Sequence, residues 1–295
     1  MQGAGAIDTR WRRSHIIHGG GAMPEAPDLE IIKDYLNERI LGLTVESARI
    51  LRPTVLRSLT GDLVEDITGR KLENVQRRGK FLLFSLSGGT WMVINPMLTG
   101  AVQLCQRSLR VLKKTCFILD LPEDQQLRYL DDRQMGKVYY LAEEQMDQVP
   151  NLADQGPDVL DGISFEEFQS RLKRFHGEIK GVLTRGAFIS GIGNAYSDEI
   201  LFAAGLSPFR KSRSLDRSEL ETLYDQCPKV VTDAMDVLRG RMGDDIHVKI
   251  RDFLKVHNKG GQPCPTCGGA ITQLTANQRI TSYCRKCQPG MLIKN

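Results

Sequence analysis

The sequence has no apolar run of the roughly 18 residues that a membrane-spanning helix requires. Its most apolar stretches, residues 81–86 and 91–94, have only the length of strands. It also lacks a strong net charge, since 40 basic and 36 acidic side chains leave a formal charge of +4. That value does not by itself indicate a nucleic-acid partner. With 41% hydrophobic and 26% charged residues, the composition predicts a soluble globular protein without a membrane partner.

Cysteine is scarce and odd in number. Seven cysteines cannot all pair, which disfavours a disulfide framework and favours a reducing compartment. Four of them form two Cys-x-x-Cys pairs sixteen residues apart: Cys264, Cys267, Cys284 and Cys287. This spacing predicts one structural zinc ion, and four thiolates leave no open position for a catalytic water. Free thiols or a redox pair are the alternatives.

Charge is distributed unevenly along the chain. Residues 251–295 carry seven basic side chains and one acidic side chain, whereas residues 139–170 carry eight acidic side chains and no basic one. The basic tail is suited to a phosphate backbone, and the acidic stretch is typical of a linker and its flanks. Solvated surface is the alternative interpretation of both segments.

The first part of the chain predicts an extension and a β-domain. Residues 1–22 are expected to be a disordered extension or the product of a misassigned start. Apolar residues at helical spacing follow Pro27 and stop at Gly42, and short β-branched and aromatic segments then alternate with turns. We therefore expect residues 23–150 to form an N-terminal β-sandwich domain with a leading helix.

The second part of the chain predicts helices. Ser164 and Glu167 have the spacing of a capping box, and further runs of helical periodicity follow. We expect residues 151–258 to form a helical domain and residues 259–295 to form the zinc ribbon. The predicted fold class is therefore multi-domain α+β.

Several motifs resemble those of one enzyme family. Residues 23–28 read Met-Pro-Glu-Ala-Pro-Asp, and residues 77–83 read Arg-Arg-Gly-Lys-Phe-Leu-Leu. Residues 128–136 read Arg-Tyr-Leu-Asp-Asp-Arg-Gln-Met-Gly, and residues 191–194 read Gly-Ile-Gly-Asn. With Gln-Arg-Ile-Thr-Ser-Tyr-Cys at residues 278–284, these motifs resemble, in order, those of the Fpg/Nei DNA glycosylases. Alone, the first motif is also compatible with an ordinary Pro-Glu-x-Pro helix start.

The resemblance implies a bifunctional DNA glycosylase and abasic-site lyase with a helix-two-turns-helix domain, acting on oxidised bases in double-stranded DNA. It implies that Pro24 is the nucleophile, that Glu25 is the acid/base, and that Lys80 and Arg279 assist elimination. The other residues that it places on DNA are Leu98, Arg133, Met135, Lys180 and Asn194. Of these, Leu98, Arg133 and Met135 would form a wedge that fills the space left by an extruded nucleotide.

The sequence departs from the family pattern at positions where the resemblance implies recognition of the damaged base. Asp28 is one methylene shorter than the usual glutamate, residues 95–100 read Asn-Pro-Met-Leu-Thr-Gly, and Gln134 and Met135 replace an Arg-Phe pair. These departures leave the preferred lesion open. Two other functions also remain: a damaged-DNA-binding homologue without catalysis, and a zinc-ribbon module for nucleic-acid or protein contacts.

The Pro24 nitrogen can act as a nucleophile only as a free amine. If residues 1–22 stay attached, this nitrogen is an amide without an available lone pair. We therefore expect the working chain to begin at Pro24, after initiation at Met23 and removal of that methionine. We also expect a monomer in the cytoplasm of a bacterial cell, associated with the nucleoid through DNA.

Overall fold

The computed structural model describes residues 23–276 and 279–290, so the predicted extension 1–22 and Gln278 lie outside the described residues. The helices are α1 (Ala26–Ile40), α2 (Leu63–Ile67), α3 (Phe165–Leu172), α4 (Ile179–Leu183), α5 (Asn194–Ala203) and α6 (Arg217–Arg241). The first strands are β1 (Ser47–Ile50), β2 (Leu56–Ser58), β3 (Leu72–Arg78), β4 (Phe81–Leu86), β5 (Thr90–Asn95) and β6 (Gly100–Gln106). The remaining strands are β7 (Thr115–Leu121), β8 (Gln125–Asp131), β9 (Lys137–Ala142), β10 (Thr272–Ala276) and β11 (Arg279–Tyr283).

The predicted β-sandwich is present. One sheet has the strand order β1-β7-β8-β6 and the other has the order β2-β9-β5-β4-β3. Alternate residues of the strands face the space between the sheets, so Phe84 and Met92 of one sheet share a buried cluster with Phe117 and Leu127 of the other. Helix α1 contributes Leu36 and further apolar side chains to the same cluster.

The helical domain has a separate core. Its buried cluster includes Phe168 of α3, Leu183 of α4, Ile200 of α5 and Leu223 of α6. The N-cap of the predicted capping box is confirmed, since the Ser164 side chain accepts a hydrogen bond from the Glu167 amide at 3.1 Å. The reciprocal bond from the Ser164 amide to the Glu167 side chain is not formed. Helix α6 runs through Pro228 without being split.

An ion-pair cluster joins the two domains. The Arg77 guanidinium at the end of β3 donates to both carboxylate oxygens of Asp158, at 2.5 and 2.6 Å. It also donates to Glu30 of α1 at 2.5 Å. Asp158 lies in the acidic stretch and receives a further hydrogen bond from the Ser190 hydroxyl, at 3.2 Å. These contacts fix the turn before α5 relative to the first helix.

The ribbon packs on helix α5 through a small buried cluster. The cluster contains Phe202 of α5, Val256, Ile271 and two of the predicted zinc ligands, Cys264 and Cys284. Among residues 23–276 and 279–290, the helices are too short or too polar to span a membrane.

Candidate active site

The Glu25 carboxylate is buried against the N-terminus of helix α5. Its oxygens accept hydrogen bonds from the backbone amides of Gly193 at 2.6 Å, Ala195 at 2.8 Å and Tyr196 at 3.2 Å. A helix start leaves such amides free for an anion. Burial raises the pKa of Glu25, and the nearby Arg251 charge and the amides offset part of that rise. A carboxyl group in this setting is suited to hold and release a proton.

Two glycines of the turn before α5 leave the space that this arrangement needs. A Cβ atom at Gly193 would overlap the Glu25 carboxyl group. Gly191 has a φ of +96°, a backbone conformation that glycine adopts without steric cost. The Gly191 carbonyl accepts a hydrogen bond from the Ala26 amide at 3.0 Å. The Gly-Ile-Gly-Asn turn therefore packs directly on the start of α1.

A buried ion pair supports the start of α1 from the other side. Asp28 accepts a hydrogen bond from the Glu25 amide at 2.9 Å, and the Arg251 guanidinium donates to both Asp28 oxygens, one of them at 2.5 Å. Arg251 also lies over the Tyr196 ring, 5.3 Å from its centroid. In the sequence Arg251 is only one cation of the basic tail, and no local pattern predicts this contact.

Pro24 and Lys80 lie beside Glu25. Pro24 is buried and lines a small pocket together with Asp28 and Lys249. The Lys80 ammonium donates to the Ile192 carbonyl at 3.3 Å. Burial lowers the pKa of Lys80, while the Glu25 charge raises it. The structure thus brings the predicted nucleophile, the predicted acid/base and one predicted phosphate-binding amine into one place.

Lys180 and Asn194 hold the strand that carries Arg279. Both side chains donate to the Ile280 carbonyl, at 2.7 and 2.9 Å. The Lys180 ammonium also lies 2.7 Å from the carboxylate of Asp198, and burial lowers the pKa of Lys180. Arg279 itself is exposed. These contacts place the Arg279 strand against the start of α5, beside Glu25.

Two adjacent carboxylates of α5 hold the ribbon and the segment that leads into it. Glu199 accepts hydrogen bonds from the backbone amides of residues 255, 256 and 257, each at 2.8 Å. Asp198 accepts from the His257 ring at 2.8 Å and from the Ser282 amide at 3.1 Å. Neither carboxylate is among the site residues predicted from the sequence. An Asp-Glu pair inside an otherwise uncharged helix was the available signal, since buried charges need partners.

The four predicted zinc ligands form one cluster. Their sulfur atoms all lie within 4.8 Å of one another. The Cys264 and Cys287 sulfurs are 3.8 Å apart, and those of Cys267 and Cys284 are 3.5 Å apart. Zn–S bonds of about 2.3 Å in a tetrahedron give sulfur separations of about 3.8 Å. The donor set and its spacing therefore fit one structural zinc ion.

The three predicted wedge residues lie on two turns of the sandwich. Leu98 is half-buried and Arg133 is exposed, and Met135 is 40% exposed. The preceding Met97 and the intervening Gln134 have φ values of 47° and 53°, which non-glycine residues rarely adopt. These turns are thus held in conformations that local sequence preference does not favour.

The folded chain has a β-sandwich led by a helix, a helical domain entered through a glycine turn, and a four-cysteine ribbon. Pro24 and Glu25 lie where the sandwich and the helical domain meet. This is the architecture of the DNA glycosylases that carry a helix-two-turns-helix domain.

The comparisons with known proteins identify the family. Residues 23–138 match the formamidopyrimidine-DNA glycosylase N-terminal domain, residues 156–244 its H2TH domain, and residues 261–290 a zinc finger found in FPG and IleRS. The formamidopyrimidine-DNA glycosylase of Pelotomaculum thermopropionicum is 30% identical over 273 residues, which cover 90% of this chain and 99% of the relative. The chain belongs to the formamidopyrimidine-DNA glycosylase family, and the predicted resemblance and fold class are confirmed.

Solved structures agree with this assignment. A complex between Lactococcus lactis Fpg and DNA containing an abasic site superposes with a TM-score of 0.81 at 25% identity. A complex of wild-type Lactococcus lactis Fpg with DNA containing an oxidised pyrimidine gives the same TM-score and identity. Both comparisons cover 90% of this chain and 100% of the solved chain.

Proposed function

We propose that this protein is a bifunctional DNA glycosylase and abasic-site lyase of base-excision repair that removes oxidised bases from duplex DNA. Its relative is named a formamidopyrimidine-DNA glycosylase, and the matching solved structures hold abasic and oxidised DNA. The observation that carries the proposal is the buried Glu25 carboxylate, held by three backbone amides next to Pro24. The enzyme acts in the cytoplasm, on nucleoid DNA.

Pro24 is the nucleophile in this proposal. In a chain that begins at Pro24, the ring nitrogen is a secondary amine with a pKa of about 8, so a useful fraction is neutral. The nitrogen forms a bond to the sugar C1′, and the bond from C1′ to the base breaks, with its electron pair leaving on the base. The attacking nitrogen loses its proton, and the bond from C1′ to the ring oxygen then breaks, with its electron pair going to that oxygen, which takes a proton. The nitrogen lone pair completes an iminium that is cationic without protonation, so it acidifies the C2′ proton. Loss of that proton expels the 3′ phosphate by elimination.

The other residues move protons and hold the backbone. Glu25 supplies a proton to the sugar ring oxygen as the ring opens and shuttles protons in the later steps. Lys80 and Arg279 assist elimination and hold phosphates, and the turn at Asn194 holds another phosphate. Lys180 as a direct DNA contact stays a prediction, since its contacts support a role in holding the Arg279 strand.

The domain division is part of the proposal. We assign residues 23–150 to the catalytic sandwich domain, 151–258 to the helix-two-turns-helix domain and 259–295 to the ribbon. When bound, zinc folds the ribbon, because four cysteine ligands close its coordination shell. The ribbon residues then hold Arg279 towards the DNA backbone.

Borohydride reduction tests the activity. A chain that begins at Pro24 should become covalently attached to duplexes that carry an abasic site or an oxidised base, and should leave undamaged duplex free. The matched control is the same chain with residues 1–22 attached, which should not be trapped. Tight binding of damaged duplex without trapping would mean a binding protein. Equal binding of damaged and undamaged duplex would mean an interaction module.

A further inference from the structure

The two turns that carry Leu98, Arg133 and Met135 meet at one point of the sandwich. The first turn ends at Gly100 and the second at Gly136. A Cβ atom at either glycine would overlap the hydroxyl group of Tyr129, which is itself fully buried. The turns therefore pack against the same hydroxyl without a side chain between them.

A single carboxylate bonds both turns. Asp131 at the end of β8 is fully buried. One of its oxygens accepts a hydrogen bond from the Thr99 hydroxyl, and the other accepts from the Gly136 amide at 2.6 Å. Hydrogen bonds to a buried carboxylate are among the stronger ones in proteins. Asp131 thus links the Leu98 turn to the turn that carries Met135.

A lysine from outside the sandwich holds the first turn. The Lys249 ammonium donates to the Leu98 carbonyl at 3.1 Å. Lys249 follows α6 in the chain, and the side chains of Met242 and Ile246 from the same segment pack into the sandwich core. Lys249 also lines the pocket that contains Pro24. The segment after α6 therefore contacts the Leu98 turn and also lines the pocket of the proposed nucleophile.

We propose that Asp131 and Lys249 are positioning residues that hold the two turns as one preformed wedge for opening duplex DNA. This inference rests on the proposed function. The left-handed conformations of Met97 and Gln134 cost of order 1 kcal/mol or more each and persist only where surrounding contacts impose them. A wedge that is already fixed before binding needs no further ordering, so no ordering free energy is lost when the base stack of the DNA opens. Because Lys249 lies in the segment after α6, wedge position is coupled to the docking of the helical domain.

The test compares a duplex containing an abasic site with the same abasic strand alone. The single strand has no stack to open, so its cleavage needs Pro24 and Glu25 but no wedge. Thr99→Val removes the hydroxyl at nearly constant volume, and Lys249→Met removes the ammonium. Loss of a hydrogen bond of about 1.4 kcal/mol corresponds to about a tenfold effect. Thr99→Val should therefore cleave the duplex about tenfold more slowly and the single strand within about twofold of wild type. Lys249 also lines the Pro24 pocket, so Lys249→Met should slow both substrates, and the duplex about tenfold more than the single strand.

Three controls make the result specific. Thr99→Ser keeps the hydroxyl and should keep the duplex rate, and so should Lys249→Arg, which keeps a cationic donor. Lys229→Met removes an exposed lysine on α6 that pairs with Asp233, so it controls for loss of positive charge. Stopped-flow fluorescence of 2-aminopurine beside the abasic site should show slower opening of the duplex in Thr99→Val and Lys249→Met.

Other outcomes would overturn the inference. An equal loss on duplex and single strand in both variants would mean a catalytic or folding role instead of positioning. Unchanged duplex rates in both variants would mean that these contacts do not hold a wedge. A wild-type enzyme that cleaves neither substrate would instead contradict the proposed function.

Discussion

Gly193→Ala is the substitution that acts most directly on the proposed acid/base. The added methyl group would overlap the Glu25 carboxyl group, which lies against the start of α5. Either the carboxyl group or the turn must shift. A shift breaks hydrogen bonds from the amides of residues 193, 195 and 196, which measure 2.6, 2.8 and 3.2 Å.

The size of the effect follows from these contacts. A hydrogen bond to a charged group contributes about 1.5–3 kcal/mol, and forcing a methyl group into packed space costs about 1–3 kcal/mol. Misplacing a catalytic group by about 1 Å reduces the rate about 100-fold. Gly193→Ala should therefore lower the unfolding free energy by about 1–3 kcal/mol and slow cleavage of an abasic duplex about 100-fold.

The assay is single-turnover cleavage with enzyme in excess, with the melting temperature measured on the same samples. Gly240→Ala in α6 is the matched control, because a Cβ at Gly240 would meet no atom of the described residues within 4 Å apart from its chain neighbours and the adjacent backbone of its own helix. It should keep the wild-type rate and gain up to about 1 kcal/mol of stability from helix propensity. A folded Gly193→Ala variant as fast as Gly240→Ala would refute the assignment of Glu25.

Three further perturbations have defined outcomes. Arg251→Met leaves the Asp28 carboxylate buried without its ion-pair partner, so the free energy of unfolding measured by chemical denaturation should fall by about 3–5 kcal/mol. The double variant with Asp28→Asn should recover part of this loss. An unchanged denaturation midpoint in Arg251→Met would contradict the prediction. Cys267→Ser should abolish zinc retention and weaken duplex binding, as measured by metal content and fluorescence anisotropy; full zinc retention would contradict the four-thiolate site. Burial raises the pKa of Glu25, so its contribution to stability is present at acid pH and is lost as pH rises through the folded-state pKa. As pH rises from the unfolded-state pKa of Glu25 to its folded-state pKa, the melting temperature of the wild type should therefore fall relative to that of Glu25→Gln. Parallel profiles of melting temperature against pH for the two proteins would contradict the raised pKa.

Features set by short sequence spacing were predictable. The two Cys-x-x-Cys pairs identified four side chains that the fold brings together, because each pair lies in one tight turn. The Ser164 N-cap and the glycine turn at residue 191 could also be predicted, because both depend on backbone preferences that act over a few residues.

Contacts between parts of the chain that are distant in sequence could not be predicted. Asp28 and Arg251 are 223 positions apart, and Lys249 and Leu98 are 151 apart, so no local pattern links them. Asp28 looked like a shortened version of a lesion-reading residue, whereas the structure shows it bound to Arg251. The sequence of a basic tail does not distinguish a solvated arginine from one that is buried in an ion pair.

The position of the covalent bond to the sugar decides whether Pro24 is the nucleophile. Enzyme reduced with borohydride on an abasic duplex would be digested, and the peptide that carries the sugar adduct would be sequenced by mass spectrometry. We expect an adduct on the nitrogen of Pro24, at the first residue of the working chain. An adduct on Lys80 or another lysine, or full lyase activity of a protein whose intact mass retains residues 1–22, would contradict it.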